Sequence, residues 1–508
     1  MDDKIASNAI ANIYRLSDNI IRRKEQDMSE SLKQRTAKGL FWGALNSGTT
    51  QVLNLVFGII LARLLTPGDY GIVGVLTIFT AIAGDLQSAG FTQGLVNLKR
   101  PAHSDYNAVF TFNVGMSVVM YAILFFCAPL IAQFFRQPCL TDVSRLVFLA
   151  FFIASLGIAH GGYMTKNMMN KEMAIIGAVA LLSSGITGVT LAVMGYGYWA
   201  LAWQQVTYIA VLNLGRYYYV REWRPRLTVN LRPVVEMAPF AVKILVTKII
   251  TTVSNNVLTV IFGRLFPIHL VGNYSQAYKW DTMASSLVAN TVGQIAQTVL
   301  VETNGSEEER QKRVYRKMLR FTCFLTMPLM FGLALVSREF ILLTIGDEWT
   351  GCIPLLQVLC LSGAFIPLYT MYQNLAISHG RSDVFMWLSI GQIVVQIAVI
   401  LAFHSYGMFT MVCAYSAFMV LWLVPWHHFA GRLAGYRWTE MLRDMLPFTL
   451  AAAAVMTVTH FATASIHNLW LLLAARIVLA AVLYYAVMRI ARVQILHECE
   501  QFLLRRRK

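Results

Sequence analysis

The sequence predicts an all-α membrane protein with about fourteen transmembrane helices, and three observations support this prediction. Of its 508 residues, 57% are hydrophobic and only 13% are charged, more apolar surface than a water-soluble chain of this length could bury. Apolar stretches of about twenty residues follow one another along the chain. The basic residues gather in every second connection between these stretches. Such a chain needs lipid as its solvent.

Fourteen segments are long and apolar enough to cross a hydrocarbon core of about 30 Å, which takes about 20 helical residues. Lipid cannot satisfy unpaired backbone groups, so each segment is predicted to be helical. The connections are too short for a folded soluble domain, and any function must lie in the membrane or at its surface. The predicted spans are residues 40–61, 71–87, 108–128, 146–164, 173–194, 198–214, 237–262, 274–300, 321–336, 353–377, 385–403, 408–429, 446–461 and 469–488.

The distribution of basic residues predicts the orientation. With the N-terminus inside, the inner segments contain 33 of the 42 Lys and Arg residues, the outer loops contain 5 and the spans contain 4. Short translocated loops are poor in Lys and Arg, so both termini are predicted to be cytoplasmic, in a bacterial inner membrane. The net charge of +16 is spread over short loops and forms no groove-sized face, which excludes nucleic acid as a partner. The preferred interpretation of the basic runs 310–320 and 505–508 is that they only orient the flanking helices, and the alternative is that they also contact membrane lipids.

The sequence predicts neither a metal site nor a cofactor. The seven cysteines are scattered without a C-x-x-C pair, and the ten histidines form no metal-binding motif. Residues 1–38 lack the apolar core of a cleavable signal peptide. The protein could equally begin at Met28, so residues 1–27 are expected to be a dispensable cytoplasmic extension.

An internal repeat appears where the first and seventh spans end. The string ARLLTPGDYG resembles GRLFPIHLVGNYS: Arg63 matches Arg264 at an offset of 201 residues, while Gly68 matches Gly272 at 204, which implies a three-residue insertion. Six spans separate the copies, so a parallel duplication into two six-helix lobes is predicted, with two helices appended. The predicted divisions are a cytoplasmic extension (1–39), a first lobe (40–220), a second lobe (221–430) and the last two helices with a basic tail (431–508).

Polar residues inside the spans mark the expected binding site, because such residues are costly in lipid and usually face a bundle interior or an aqueous cavity. The eighth span has the clearest pattern, a polar face running along most of the helix. It consists of Lys279, Thr282, Ser286, Asn290, Gln294 and Gln297. A shorter polar face in the first span contains Ser47, Gln51 and Asn54.

Charged residues within or beside these spans are the remaining candidates. The lysines Lys243, Lys248 and Lys279, with Arg63 and Arg264 at the outer helix ends, would make a cationic patch suited to an anion such as pyrophosphate. In the alternative interpretation, Lys and Asp pair inside the bundle and only hold helices together, with Asp281 as the partner. Asp85 and Asp281 are the candidates for ion coupling, and Arg476 is interpreted as a base extending to the interface. Five prolines are expected to interrupt spans: Pro239, Pro328, Pro367, Pro425 and Pro447.

Three segments carry a resemblance to a known family. They are SLKQRTAKGLFWGALNSGTTQVLNLVFGIILARLLTPGDYGIVGVLTIFTAIAGDLQSAGFTQGLV, NNVLTVIFGRLFPIHLVGNYSQAYKW and NLAISHGRSDVFMWL. They resemble the Wzx-type oligosaccharide and polysaccharide flippases of the multidrug/oligosaccharidyl-lipid/polysaccharide (MOP) superfamily, from about Met28 to the end of the chain.

The resemblance implies two six-helix lobes around a central cavity that faces the two sides of the membrane in turn. It implies transport of undecaprenyl-pyrophosphate-linked repeat units for surface polysaccharide biosynthesis, driven by a coupling ion, proton or sodium, with a polysaccharide polymerase as a possible partner. One departure concerns Ser254, Asn255 and Asn256, which stand where the family is expected to have an acidic residue. Coupling would then fall to Asp85, Asp281 or another site.

Two other functions remain open at this stage. A cation-coupled drug antiporter of the same architecture would prefer an acidic cavity, which the lysines argue against. A membrane-embedded polymerase or ligase of the same pathway would be expected to have larger outer loops or a His/Asp/Glu cluster at a membrane surface, and the sequence has neither. The protein is therefore not expected to be an enzyme.

Overall fold

The computed structural model describes residues 42, 45, 47–88, 91–98, 101–228, 230–303 and 308–505, and every regular element in this part of the chain is helical. The predicted extension 1–39 lies outside the described residues. The helices are α1 (Ser47–Leu64), α2 (Pro67–Gly74), α3 (Thr77–Ser88), α4 (Phe91–Asn97), α5 (His103–Phe135), α6 (Leu140–Lys166), α7 (Asn170–Val193), α8 (Tyr198–Tyr219), α9 (Arg232–Leu265), α10 (Ile268–Thr303), α11 (Glu308–Thr344), α12 (Cys352–Gly363), α13 (Ile366–Ser378), α14 (Ser382–Ala402), α15 (Met408–Leu421), α16 (Leu423–Phe429), α17 (Trp438–Ala462), α18 (Leu469–Ile490) and α19 (Gln494–Arg505).

All fourteen predicted spans correspond to helices, and the predicted fold is confirmed. Eleven spans in the described residues are long and apolar enough to cross a membrane. The other three predicted spans are α8, α9 and α10, with 22, 34 and 36 residues. All three are long enough to cross a membrane, and each contains several polar residues. A helix with this composition needs a protein or water surface along part of its length.

Three spans are broken into two helices. The second span consists of α2 and α3, the tenth of α12 and α13, and the twelfth of α15 and α16. Pro367 and Pro425 lie just after two of these breaks, where a proline lacks the amide hydrogen that a continuing helix would use. Pro239, Pro328 and Pro447 lie inside the continuous helices α9, α11 and α17, so there the predicted interruption does not occur.

The helices form two six-span lobes and an appended pair. The first lobe comprises α1 to α8, the second comprises α9 to α16, and α17 and α18 pack on α11 of the second lobe. Helix α9 contacts α3, α4 and α5 of the first lobe as well as α14 of the second. The exact lobe boundaries at residues 220 and 430 therefore stay a proposal.

Contacts between connections agree with the predicted sides of the membrane. Lys166, in a predicted inner connection, donates to the carbonyl oxygen of Val96 at 2.8 Å, beside another inner connection. At the opposite end, the indole Nε1 of Trp349 donates to the carbonyl oxygen of Ala62 at 2.8 Å, and both lie near predicted outer loops. We call these two ends of the bundle the inner and outer ends; which of them faces the cytoplasm stays a prediction.

Two glycines join the lobes at the outer end in a reciprocal contact. A Cβ atom on Gly71 of α2 would lie 2.1 Å from the carbonyl oxygen of Ile268, and one on Gly272 of α10 would lie 1.7 Å from that of Pro67. A shift of 201 residues converts Gly71 into Gly272 and Pro67 into Ile268, so each contact is the image of the other. The two copies of the repeat therefore correspond at an offset of 201 residues, the same offset that relates Arg63 to Arg264. Because Gly71 and Gly272 keep this offset, the predicted three-residue insertion is wrong.

Candidate functional site

A cavity of about 380 Å³ lies between the lobes near the outer end. Its walls come from α2, α3, α8, α9 and α10, and the last three of these helices contain several polar residues each. The lining residues are Tyr70, Val73, Gly74, Thr77, Leu201, Gln204, Asn256, Thr259, Ser275, Gln276, Tyr278 and Lys279. No carboxylate is among them, and Lys279 is the lining residue that carries a full charge.

The ammonium group of Lys279 points from α10 toward α1. A Cβ atom on Gly58 would lie 3.0 Å from the Nζ of Lys279, so the absence of a side chain on Gly58 makes room for the ammonium group. The Nζ lies 5.9 Å from the ring centroid of Tyr70 and 5.7 Å from that of Trp280, within the range of cation–π attraction. Among the described residues, no carboxylate lies within the 4.0 Å ion-pair distance of this ammonium group.

Polar residues continue along both α1 and α10 from this point toward the inner end. The two helices are antiparallel, and Gly58 and Lys279 meet near the outer end. Gln51 lies seven residues before Gly58 and Ser286 lies seven residues after Lys279. Seven residues bring a helix back to nearly the same face about 10.5 Å further along its axis, so Gln51 and Ser286 are placed at matching depths.

The same reasoning applies eleven residues from the Gly58–Lys279 contact. Ser47 lies eleven residues before Gly58 and Asn290 lies eleven residues after Lys279, so both are about 16.5 Å along their helices from that contact. Both residues are exposed. Asn54 is exposed on the same face of α1. We call this set the polar ladder: Ser47, Gln51, Asn54 and Gly58 on α1 with Lys279, Ser286 and Asn290 on α10. The predicted site residues Gln51, Asn54, Lys279 and Asn290 therefore lie on the faces of α1 and α10 that meet at the Gly58–Lys279 contact.

Helix α9 contributes a second group. The hydroxyl of Thr252 donates to the carboxylate of Asp85 on α3 at 2.5 Å, which links the lobes within the membrane. Lys248 is exposed, and it precedes Thr259, a residue of the cavity wall, by eleven residues, so both lie on nearly the same face of α9. Lys248 therefore lies on the side of α9 that faces the cavity, closer to the inner end. Thr252 lies one helical turn before Asn256 on α9. The carboxylate of Asp85 is therefore beside the segment 254–256, where an acidic residue was expected.

Asp281 points away from this cavity into the second lobe. Its side chain is 2% exposed, and its Oδ1 lacks a hydrogen-bond partner in the described part of the protein. A Cβ atom on Gly363 of α12 would lie 2.1 Å from this oxygen. Asp281 forms no ion pair with Lys279 here, since the two side chains leave α10 on opposite sides. The alternative in which this pair holds the helices together is not realised in this conformation.

Two of the predicted arginines lie at the outer end and not in the cavity. The guanidinium of Arg63 donates to the carbonyl oxygens of Leu343 and Thr344 at the end of α11. That of Arg264 lies 5.6 Å from the ring of Phe134 at the end of α5. Carbonyl groups at a helix C-terminus favour a cation, so the contacts of Arg63 are those of a helix cap between the lobes. A role for either arginine in substrate binding stays a prediction.

The side chains of Lys243 and Gln294 lie outside the described residues, so their predicted role also remains a prediction. The cavity in turn contains polar residues that the sequence analysis did not select, chiefly Tyr70, Gln204 and Gln276. Gln204 and its neighbour Gln205 lie inside the sixth span, and an amide inside a span was a usable signal. Tyr70 gave no such signal, since tyrosine is common at membrane interfaces.

Comparison with known proteins identifies the family. Residues 60–354, more than half of the chain, match the family described as polysaccharide biosynthesis protein. The chain belongs to this family. The matched region contains the cavity, the outer contact between α2 and α10, and the α10 residues of the polar ladder. The relationship to polysaccharide flippases predicted from the sequence is thereby confirmed.

Two curated relatives are similar to this chain over most of its length. The lipopolysaccharide biosynthesis protein WzxC of Escherichia coli strain K12 is 24% identical over 359 residues, which cover 70% of this chain and 72% of that protein. The succinoglycan biosynthesis transport protein ExoT of Rhizobium meliloti strain 1021 is 24% identical over 426 residues, which cover 83% of each chain.

Solved structures show that this family member has a MOP transporter fold. The lipid II flippase MurJ in an inward closed conformation superposes with a TM-score of 0.73 at 13% identity, covering 89% of this chain and 99% of MurJ. An inward-facing multidrug resistance transporter of the MATE family gives a TM-score of 0.60 at 14% identity, covering 82% of this chain and 99% of that one. The protein is therefore a multi-pass membrane protein with two lobes around a central cavity.

Proposed function

We propose that this protein flips undecaprenyl-pyrophosphate-linked oligosaccharide units from the cytoplasmic to the periplasmic leaflet of a bacterial inner membrane. The observation that carries the proposal is the unpaired ammonium group of Lys279 in a polar cavity between two lobes. The pyrophosphate would accept charge-assisted hydrogen bonds from this group. The polar ladder would offer a hydrated surface to the glycan, while the polyprenyl chain stays in lipid.

The route follows from where the polar ladder lies. It begins at the inner end with Ser47 and Asn290 and leads to Lys279 below the closed outer contact of Gly71 and Gly272. A lipid-linked anion entering from the inner end would meet Lys248 and then Lys279. Release on the other side would require α2 and α10 to separate, which is the alternating-access movement of the two lobes.

The names of the relatives support the same substrate class. Two relatives are named for lipopolysaccharide biosynthesis and for transport in succinoglycan biosynthesis, and the structurally similar MurJ is a lipid II flippase. The alternative of a cation-coupled drug antiporter draws on the fold shared with the MATE transporter. The cavity argues against it, because a cationic drug would meet Lys279 and no lining carboxylate. A polysaccharide polymerase would take the flipped units as its substrate and is proposed as a partner in the same pathway.

The test uses the full-length protein in liposomes that contain a fluorescent undecaprenyl-pyrophosphate oligosaccharide. A membrane-impermeant quencher then reports how much of the lipid changes leaflet. Lys279→Gln is expected to lower the flipping rate at least about tenfold, the equivalent of about 1.4 kcal/mol of lost binding. Lys279→Arg should retain part of the rate, because the charge remains. Arg226→Gln removes an exposed charge from the connection between α8 and α9 and serves as the control.

Normal flipping by Lys279→Gln, or equal loss in the Arg226→Gln control, would contradict the proposed role of Lys279. Absence of flipping by the unmodified protein for any lipid-linked glycan would contradict the function itself. Reporter fusions at the two chain ends test the proposed orientation, which requires both ends on the cytoplasmic side.

A further inference from the structure

A second cavity, of about 500 Å³, lies at the inner end and has no connection with the polar ladder described above. It is formed by α11, α17 and α19 together with the turn before α19, all from the second lobe and the appended helices. Five of its lining residues are basic: Arg313, Arg316, Lys317, Arg320 and Arg443. Its other lining residues are Pro447, Phe448, Val493, Gln494, Ile495 and Glu498. The cavity therefore combines a cationic rim with an apolar wall.

A buried carboxylate fixes two of these bases. Asp444 of α17 has a fully buried side chain and accepts hydrogen bonds from Arg316 Nε at 2.7 Å and Arg320 Nε at 2.6 Å. The hydroxyl of Tyr436, which lies just before α17, also donates a hydrogen bond to Asp444 at 3.0 Å. Arg316 further contacts Glu440 at 3.1 Å. These two arginines are held in place and largely neutralised, so they form the base of the cavity.

Of the three remaining bases, one is paired and two are available to a ligand. Lys317 forms an exposed ion pair with Glu498 of α19 at 2.6 Å, which holds α19 over the cavity. Arg313 donates from Nε to the backbone oxygen of Glu309 at 3.3 Å. Within the described residues, neither Arg313 nor Arg443 has a carboxylate within 4.0 Å. Two guanidinium groups thus border one cavity with their charges uncompensated.

The position of the cavity suits the boundary between headgroups and acyl chains. Leu442 and Leu446 flank Arg443 on α17 and are exposed, as expected of side chains that face lipid. On α19, Ile495 and Leu496 are buried against the bundle while Gln494 and His497 are exposed, the pattern of an amphipathic helix lying along the membrane surface. Arg443 lies between lipid-facing leucines and the cavity, so a lipid could enter from the side.

We propose that this cavity binds the headgroup of an anionic glycerophospholipid of the leaflet at the inner end. Its phosphodiester would accept hydrogen bonds from Arg313 and Arg443, since a guanidinium group matches the geometry of phosphate oxygens. One acyl chain would lie along Pro447, Phe448 and Ile495. Basic pockets between transmembrane helices on the cytoplasmic side commonly bind such headgroups. The lipid would join α11, α17 and α19 and leave the cavity between the lobes to the transported molecule.

The test measures lipid binding by the purified, delipidated full-length protein with native mass spectrometry. Phosphatidylglycerol is titrated against phosphatidylcholine, inorganic phosphate and undecaprenyl pyrophosphate. The variant Arg313→Gln/Arg443→Gln removes the two uncompensated charges. Arg221→Gln/Arg226→Gln removes two exposed charges from another connection at the same end and is the matched control.

The unmodified protein and the control are expected to prefer phosphatidylglycerol to phosphatidylcholine. The Arg313→Gln/Arg443→Gln variant should bind phosphatidylglycerol about thirty-fold more weakly, at about fivefold per basic residue near a membrane surface. A phosphatidylglycerol with a photoreactive acyl chain should crosslink to α17 or α19 in the unmodified protein and not in this variant.

The proposal would be overturned by equal binding of phosphatidylglycerol to this variant and the control. It would also be overturned if the unmodified protein bound phosphatidylcholine with equal affinity, or if inorganic phosphate alone displaced the bound lipid. Selective capture of undecaprenyl pyrophosphate would also overturn it, and would make the cavity an entry site for the substrate. Because binding is measured without transport, the result is independent of whether the protein flips lipids.

Discussion

The guanidinium Nη1 of Arg476 lies 2.8 Å from a carboxylate oxygen of Glu339 in a contact that joins α18 to α11. The two side chains are 8% and 1% exposed. Arg476 also reaches the backbone oxygen of Leu335 and the hydroxyl of Thr463. Arg476 was interpreted from the sequence as a base that extends to the interface, and this interpretation is wrong. The ion pair attaches the appended helices to the second lobe.

Removing one partner of this pair should destabilise the protein. Arg476→Met leaves the carboxylate of Glu339 buried without compensation, at an expected cost of about 3 to 5 kcal/mol in the free energy of unfolding. The double variant Arg476→Met/Glu339→Leu should be considerably more stable than Arg476→Met, because no lone charge remains. Thermal unfolding in detergent measures both effects.

Arg489→Gln is the control for this experiment, since it breaks an exposed pair with Glu500 and should change stability by less than about 1 kcal/mol. If the double variant were no more stable than Arg476→Met, the charge of Glu339 would not be the source of the loss.

The contact of Gly71 and Gly272 predicts how the outer end opens. Gly71→Ala would place a Cβ atom 2.1 Å from the carbonyl oxygen of Ile268, and α2 and α10 could then no longer close. The variant should populate outward-open states. A cysteine at Ser275, a residue of the cavity wall, should react several-fold faster with an impermeant thiol reagent added from outside.

Gly115→Ala is the matched control for this substitution, because a Cβ atom there meets open space. Size-exclusion chromatography and thermal unfolding establish that both alanine variants fold. Unchanged labelling in a folded Gly71→Ala variant would show that the α2–α10 contact does not close the outer end.

The sequence predicted more of the fold than of the site, for physical reasons. Membrane helices are predictable because lipid imposes length and hydropathy on each segment by itself, and polar periodicity then identified the face of α10 that contains Lys279. Contacts between distant segments impose no such local pattern. Arg476 and Glu339 are 137 residues apart, and nothing near either residue indicates the other. The approach of Gly58 to Lys279 likewise depends on how α1 and α10 pack.

The polar ladder predicts which exposed residues contact water. Cysteines at Gln51 and Asn290 should both react with a water-soluble thiol reagent in inverted membrane vesicles, because their helix faces border the route to Lys279. A cysteine at Phe126 is the control: the native side chain is 76% exposed but lies on an apolar helix that should face acyl chains. The control should react at least about tenfold more slowly, since thiolate formation is suppressed in an apolar environment. Slow reaction at both ladder positions would place this face in lipid or in a dry interior, and the transport route would have to be abandoned.

The buried carboxylate of Asp281 predicts where ion coupling resides. A charged group without a partner is costly in an apolar interior, so Asp281 should bind a proton or another cation at some stage of transport. In liposomes with an imposed proton or sodium gradient, the unmodified protein should flip its substrate faster than without the gradient. Asp281→Asn should show the same rate with and without it. Asp85→Asn should keep its response, since an amide oxygen can still accept the hydrogen bond from Thr252.

Gly363→Ala tests the same site without changing any charge. Its Cβ atom would lie 2.1 Å from Asp281 Oδ1, and the carboxylate would have to move. The variant should therefore lose much of the gradient response, as Asp281→Asn does, while Gly115→Ala should keep it. A different result would assign ion coupling to the Asp85–Thr252 contact between the lobes. In that result, Asp281→Asn and Gly363→Ala would both keep the full response of the flipping rate to the gradient, and Asp85→Asn would lose it. That contact lies beside Asn256, so the acidic residue missing from α9 would then be supplied by α3.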